Sequence, residues 1–377
     1  MASQLKDQFG PSAPRAIAAM IRAVHPEFPH DEFLRDALAG YGPLSLTARG
    51  LHIATILRRY LPPEYPRAIA ILLESASQPH EHVASGGMVA FLYMPHMYFV
   101  AQHGLDHFEE SMLAQHALTQ RFTAEFSIRA YLEKHPEATL ARLREWTRDP
   151  SEHVRRLVSE GTRPRLPWAP RLRAFQKDPR PVIELLELLK DDPSLYVRRS
   201  VANNLNDIGK DHPELLTAVA KRWLRGARGE RPSAERKWIV SHALRSAVKR
   251  ADAGALGALG FGGKAEVAIR EVSIEPARPK IGGHVAIGFT LVNTGRKPAR
   301  VMADLVVHFV KARGTGAKTF KLRALQLAPG ASQSLSKKIA LTQFTTRKHY
   351  PGKHTVEALL NGARRRLGAF ELRAAAR

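Results

Sequence analysis

Cysteine is absent from all 377 residues, which removes disulfides, thiolate nucleophiles and Cys-ligated zinc or iron–sulfur centres from consideration. Acidic residues are scarce beside basic ones, 35 against 58, for a formal charge of +23 at pH 7. That imbalance points to a polyanionic partner, nucleic acid before an anionic membrane surface; a basic but unspecialised protein is the plainer alternative. Long apolar runs are also missing. The most apolar segment, MVAFLYMPHMYFVA over 88–101, is too short to span a bilayer and contains Pro95 and His96. It reads as a buried helix, and no membrane partner is expected. MASQLKDQFGPSAPRAIAAM has neither the apolar core nor the cleavage site of a secretory signal, so a soluble, cytoplasmic chain is expected.

What is present falls into two textures. Up to about residue 260 the apolar spacing is helical, as in ARGLHIATILRRYL (48–61) and IELLELLKDD (183–192), with prolines between such runs. Within it DPSEHVRRLVSE begins at Asp149 and DPSLYVRRSVAN at Asp192, 43 residues later. A further 43 residues on, IVSHALRS places Val240 where Val154 and Val197 stood, without its leading DPS. Such a period suits HEAT-type arrays of paired antiparallel helices. The Asp and Ser of DPS offer helix caps, and Pro suits a first turn. After the glycine-rich GFGGKA (260–265), period-two alternation takes over. About seven short strands, from EVAIREVSIEP to LGAFEL, suggest an immunoglobulin-like β-sandwich without the disulfide. The expected organisation is therefore mainly α, a HEAT-like helical-repeat solenoid over 1–259 followed by a sandwich over 260–377. From residue 265 onward 21 basic residues face 6 acidic ones, so the sandwich is expected to share in polyanion binding.

One repeat carries residues that its pattern does not explain. In DPSEHVRRLVSEGTRPRLPW (149–168), a helical wheel puts Val154, Leu157, Val158 and Gly161 on one face, with Arg156, Glu160 and Arg163 on the opposite flank. An i,i+4 ion pair between Arg156 and Glu160 is the ordinary reading. However, the next unit repeats the arginines as Arg198 and Arg199 and replaces Glu160 with Asn203. The arginines thus form a candidate phosphate-tracking stripe, and the carboxylate stands outside the repeat. Trp168 follows RPRLP, which is unsuited to continue the helix, and either projects from a loop or joins the core.

These residues, together with GLDHFEESMLAQHALTQRFTAEFSIRAYL (104–132), SEHVRRLVSEGTRPRLPWAPRL (151–172), SVANNLNDIGKDHPEL (200–215) and WIVSHALRSAVK (238–249), resemble the bacterial DNA alkylation repair glycosylases built of HEAT-like repeats. The similarity is to the AlkC branch, related to the AlkD branch, part of which carries a fused immunoglobulin-like domain. The resemblance implies hydrolysis of the N-glycosidic bond of cationic alkylated bases, N3-methyladenine and N3-methylcytosine in particular, in base excision repair. It implies a monofunctional enzyme that needs neither metal nor cofactor and does not flip the base into a deep pocket. It points to Glu125, Glu160, Trp168 and, more weakly, Asp207 as the residues at the lesion. Without it, Glu125 is one member of a helical ion-pair ladder with Arg121 and Arg129, and Asp207 ends a helix. Nucleic-acid contacts are expected from Arg155, Arg156, Arg163, Arg165, Arg198, Arg199 and Arg245, and from the sandwich loops through Arg296, Lys297, Arg347 and Lys348. Double-stranded DNA with alkylated bases is the expected partner, met by a monomer.

Other signals carry less. His103 and His107 stand at a metal-ligand spacing, but Gly104 lies between them and no third ligand is evident. RGTGAK (313–318) has the composition of a phosphate-binding loop without its spacing, and reads as a basic hairpin. The competing functional reading is a non-catalytic HEAT-repeat protein that binds damaged or bent nucleic acid.

Overall fold

A computed structural model describes residues 5–77, 89–225, 233–263, 265–344 and 347–374. Met88 of the apolar run, Lys264 of the glycine-rich segment, and Thr345 and Thr346 of a sandwich loop lie outside the described residues. The helices begin with α1 (Ser12–Val24), α2 (His30–Leu38), α3 (Leu46–Tyr60) and α4 (Tyr65–Ser77). Then follow α5 (Met94–His103), α6 (Phe108–Thr119), α7 (Ile128–Lys134), α8 (Pro136–Trp146) and α9 (Glu152–Gly161). Next come α10 (Arg173–Lys177), α11 (Arg180–Leu189), α12 (Leu195–Asp211) and α13 (Pro213–Arg225). The last are α14 (Ala234–Ala243), α15 (Arg245–Lys249) and α16 (Ala253–Ala258). Among the described residues no helix is long and apolar enough to cross a membrane.

The chain divides into two compact units, one of Met1–Asp211 with Ser233–Ala243, the other of His212–Pro232 with Leu244–Arg377. In the first unit the apolar run expected as one helix is a 3₁₀ turn, Val89–Tyr93, leading into α5. Pro95 sits in the first turn of α5, where its missing N–H costs no hydrogen bond. Further on, α9 packs against α8, α11 and α12, and α12 packs against α14. Val154, Val197 and Val240 are each buried, so the 43-residue period does mark equivalent core positions.

The DPS motif works differently from a simple cap. Asp149 and Asp192 accept the backbone N–H of Ser151 and Ser194, each at 2.8 Å. The serine at the N-cap of α9 makes no side-chain cap bond, and Pro150 lies ahead of the helix. The first arginine of each VRR then folds back: Arg155 Nη1 donates to the carbonyls of Asp149 and Pro150, and Arg198 Nη1 to those of Asp192 and Pro193. Arg155 also reaches across to the next repeat, its Nε 2.6 Å from Asp192 Oδ2. Asp149 is met in the same way from the preceding side by His116 at 2.7 Å.

In the second unit α16 packs on α13 and α15, and the Thr319 hydroxyl donates to the Lys249 carbonyl. The border expected at 259/260 therefore falls inside this unit. Its seven strands are β1 (Val267–Glu275), β2 (His284–Asn293), β3 (Ala299–Val310), β4 (Thr315–Leu327), β5 (Ser332–Ala340), β6 (Gly352–Leu360) and β7 (Ala363–Leu372). They form a three-stranded sheet, β1-β2-β5, and a four-stranded sheet, β4-β3-β6-β7, antiparallel throughout. Alternate residues of β2, namely Val285, Ile287, Phe289 and Leu291, pack with Val301, Leu305, Val307 and Phe309 of β3 to form the inter-sheet core. RGTGAK begins in the β3–β4 hairpin turn, closed by Lys311 N–H on the Gly314 carbonyl with Gly314 at φ +71°, and continues into β4.

Candidate functional site

The first unit gathers the four residues singled out by the resemblance around one group of charges. Glu160, near the C-terminal end of α9, is 6% exposed. Its Oε1 accepts from Arg163 Nη1 at 2.6 Å and lies 3.6 Å from Arg156 Nη2. Its Oε2 accepts from the Ser200 hydroxyl of α12 at 2.5 Å. Arg156 continues to Glu125 Oε2 at 2.6 Å and to the Thr123 hydroxyl at 2.8 Å. On the other side Arg163 donates through Nε to Asp207 Oδ2 at 2.8 Å, and Lys210 donates to Asp207 Oδ1 at 2.7 Å. Carboxylate and cation thus alternate along Glu125, Arg156, Glu160, Arg163, Asp207 and Lys210. Burial alone would weaken the charge on Arg163, but Glu160 and Asp207 outweigh it and raise its guanidinium pKa.

Glu125 is not on a helix. It occupies the turn ahead of α7, so the expected ladder with Arg121 and Arg129 gives way to a bond with Arg156 one repeat on. Asp207 lies inside α12 rather than at its end, and is 1% exposed. Trp168 projects from the loop after α9, 70% exposed, with φ +66°. A bulky side chain in the left-handed region costs roughly 1–2 kcal/mol, so the surrounding structure must hold it there. A cavity of about 280 Å³ opens beside these residues. Phe91, Met94, Tyr98, Phe122 and Trp168 line it with apolar surface, and Glu125, Glu160 and Arg163 supply polar groups.

Two further residues belong to this cluster and were missed by sequence reasoning. Ser200 occupies the position that Leu157 fills in the preceding repeat; a hydroxyl at an apolar repeat position is a signal that was available. Tyr196 lies beneath Arg156, whose guanidinium is 5.1 Å from the ring centroid. Helix packing sets the positions of these groups. A Cβ on Gly161 would lie 2.4 Å from Ile128 Cγ2, so α9 meets α7 closely only with glycine there. Gly161→Ala should destabilise the fold by about 1–3 kcal/mol, read as a lower thermal midpoint; an unchanged midpoint would mean that α7 yields freely.

The arginine stripe is only partly realised. Arg155 and Arg198, expected on phosphate, spend donors on the helix-start carbonyls, and Arg155 also on Asp192. Arg165 pairs with Asp211. Arg199 is exposed, and its side chain makes no hydrogen bond or ion pair among the described residues. In the second unit Arg245 starts α15. Arg296 and Lys297 are exposed in the β2–β3 loop beside a cavity of about 750 Å³. Arg347 lies over Phe344, 5.9 Å from its ring centroid, and Lys348 is exposed. His103 packs edge-on to Phe99 and His107 stacks on Tyr65, in keeping with aromatic rather than metal-binding surroundings.

Helical repeats joined to an immunoglobulin-like sandwich are the architecture that comparison finds again. The model for the family described as "Uncharacterised protein YhaZ, C-terminal Ig-like domain" matches residues 268–374. The Bacillus subtilis (strain 168) "Uncharacterized protein YhaZ" is 37% identical over 344 residues, 91% of this chain and 92% of the relative. The structure of Pseudomonas fluorescens alkylpurine DNA glycosylase AlkC, bound to DNA containing an abasic site analog, matches with a TM-score of 0.89 at 40% identity, covering 99% of this chain and 100% of that one. The chain belongs to the AlkC branch of the HEAT-like bacterial DNA alkylation repair glycosylases, with a fused immunoglobulin-like domain.

Proposed function

We propose that this chain is a monofunctional DNA glycosylase that hydrolyses the N-glycosidic bond of cationic alkylated bases, N3-methyladenine and N3-methylcytosine among them. The observation that carries the reading is the buried Glu160 carboxylate, fixed from three sides and lining the same cavity as an exposed tryptophan, in a chain 40% identical to an alkylpurine DNA glycosylase.

Methylation at N3 gives the base a positive charge, so it departs as a neutral group when the electron pair of the glycosidic bond passes to it. Positive charge then resides on the sugar as an oxocarbenium-like state. Glu160 stabilises that charge and orients the water that adds to C1′; the new C1′–O bond is completed as that water loses a proton to solvent. A preorganised group of this kind is worth about 3–4 kcal/mol. Ser200, Arg156 and Arg163 hold the carboxylate in place, so little reorganisation accompanies the reaction. Trp168 offers its ring face to the cationic nucleotide, worth roughly 1–2 kcal/mol when desolvated. Selectivity follows from lesion charge and bond lability, and no step requires a metal or cofactor.

Duplex DNA containing N3-methyladenine provides the test. The wild-type chain should release free methylated base and leave an abasic site. Binding without release would transfer the reading to a non-catalytic damage-binding protein. Arg199, Arg296, Lys297, Arg347 and Lys348 are the proposed phosphate contacts. An Arg296→Ala/Lys297→Ala variant should lower the slope of log K against log[salt] by about 2, since each lost contact removes roughly 0.9. An unchanged slope would take this loop off the DNA.

A further inference from the structure

Arg129 is a buried cation that the mechanism above does not use. It is 5% exposed. Nη1 donates to the carbonyls of Gly161 and Arg163 at 3.1 and 2.8 Å, and Nη2 donates to the carbonyl of Pro170. All three acceptors are backbone oxygens on one segment, which runs from the end of α9 around the loop that bears Trp168. A carboxylate would compensate a buried guanidinium better, and the site holds several. Burial accordingly pushes the Arg129 pKa down to about 10. An arginine kept here at that cost binds both ends of a loop in which Trp168 sits in the left-handed region.

We infer that Arg129 is a positioning residue for the base-release site, clamping the 161–170 loop so that Trp168 is presented to it. The planar fork matters. A lysine ammonium cannot span carbonyls separated along the loop in the same fixed geometry. The inference rests on the glycosylase reading for its effect on catalysis, but its effect on the loop stands apart from it.

The experiment combines a double-mutant cycle with local amide exchange. Trp168→Ala should slow single-turnover release of N3-methyladenine about tenfold, and Arg129→Lys should slow it to a similar extent. If Arg129 acts through the loop, the double variant should be about tenfold slow, not a hundredfold. In Arg129→Lys, amides of 162–170 should exchange faster while those of α8 and α12 keep wild-type protection. Should that variant not fold, Pro170→Gly, which loosens one acceptor and leaves the guanidinium intact, should show the same local exchange and the same non-additivity with Trp168→Ala. Multiplicative rate losses, or slowed release with unchanged loop exchange, would overturn the clamp. A wild-type chain that releases no base would instead overturn the glycosylase reading, and loop exchange would then decide the clamp alone.

Discussion

Glu160→Gln should leave the chain folded and bound to DNA while release of N3-methyladenine falls about 10²–10³-fold, the usual loss for one preorganised electrostatic group. The alternating chain of charges explains why the variant should fold. Without the Glu160 charge, Arg156 still has Glu125 at 2.6 Å and Arg163 still has Asp207 at 2.8 Å, so neither guanidinium is stranded. Glutamine can keep one oxygen toward Arg163 and turn its amide toward Ser200. On the proposed mechanism, what disappears is the negative charge offered to the sugar. Melting curves, binding isotherms and single-turnover release measured on the same preparation separate these effects. Turnover at the wild-type rate would remove Glu160 from the chemistry.

Asp207→Ala should fail in the opposite way, through stability. Asp207 is nearly inaccessible and is the second carboxylate on Arg163, besides accepting from Lys210. Removing it leaves Arg163 with Glu160 alone, at 2.6 Å, and strips Nε and Lys210 of a buried acceptor; losing such hydrogen bonds at an inaccessible position typically costs about 1–3 kcal/mol. For a unit of this size that corresponds to a fall in melting temperature of roughly 5 °C. Release should drop only as far as Arg163 and the loop shift, and it should recover in part with Asp207→Asn, which retains an oxygen for Arg163 Nε. If Asp207→Ala melted like the wild type and yet released nothing, Asp207 would act at the reacting centre itself.

The repeat period and the sandwich were legible because each is written as a recurrence: valines 43 residues apart, and alternation along β2 and β3. Glu160 stood out as the carboxylate that the repeat did not carry over. The fate of the arginines was not legible. Arg155 and Arg156 are neighbours of the same type, yet one returns to its own helix start while the other joins two carboxylates. The difference depends on the rotation of α9 against α12, a tertiary property. Arg129 was hidden for a related reason: spacing from Glu125 suggested a helical pair, but the chain turns at Glu125, and three carbonyls of a distant loop took the guanidinium instead. Backbone acceptors leave no mark in a sequence.

The bond from Arg155 to Asp192 has a consequence for how the array can grow or end. Each unit contributes an aspartate that its predecessor grips, so units are joined like links with a hook at one end and an eye at the other. Arg198 repeats the hook, but its Nε is buried without a hydrogen-bond partner among the described residues, and the position 43 residues beyond Asp192 is Glu235. The series has lost its next eye there. Polarity of this sort makes the copies non-interchangeable: a unit that follows the one bearing Arg155 must begin with an aspartate, whereas the unit after Arg198 keeps the buried valine of the period, Val240, without that aspartate.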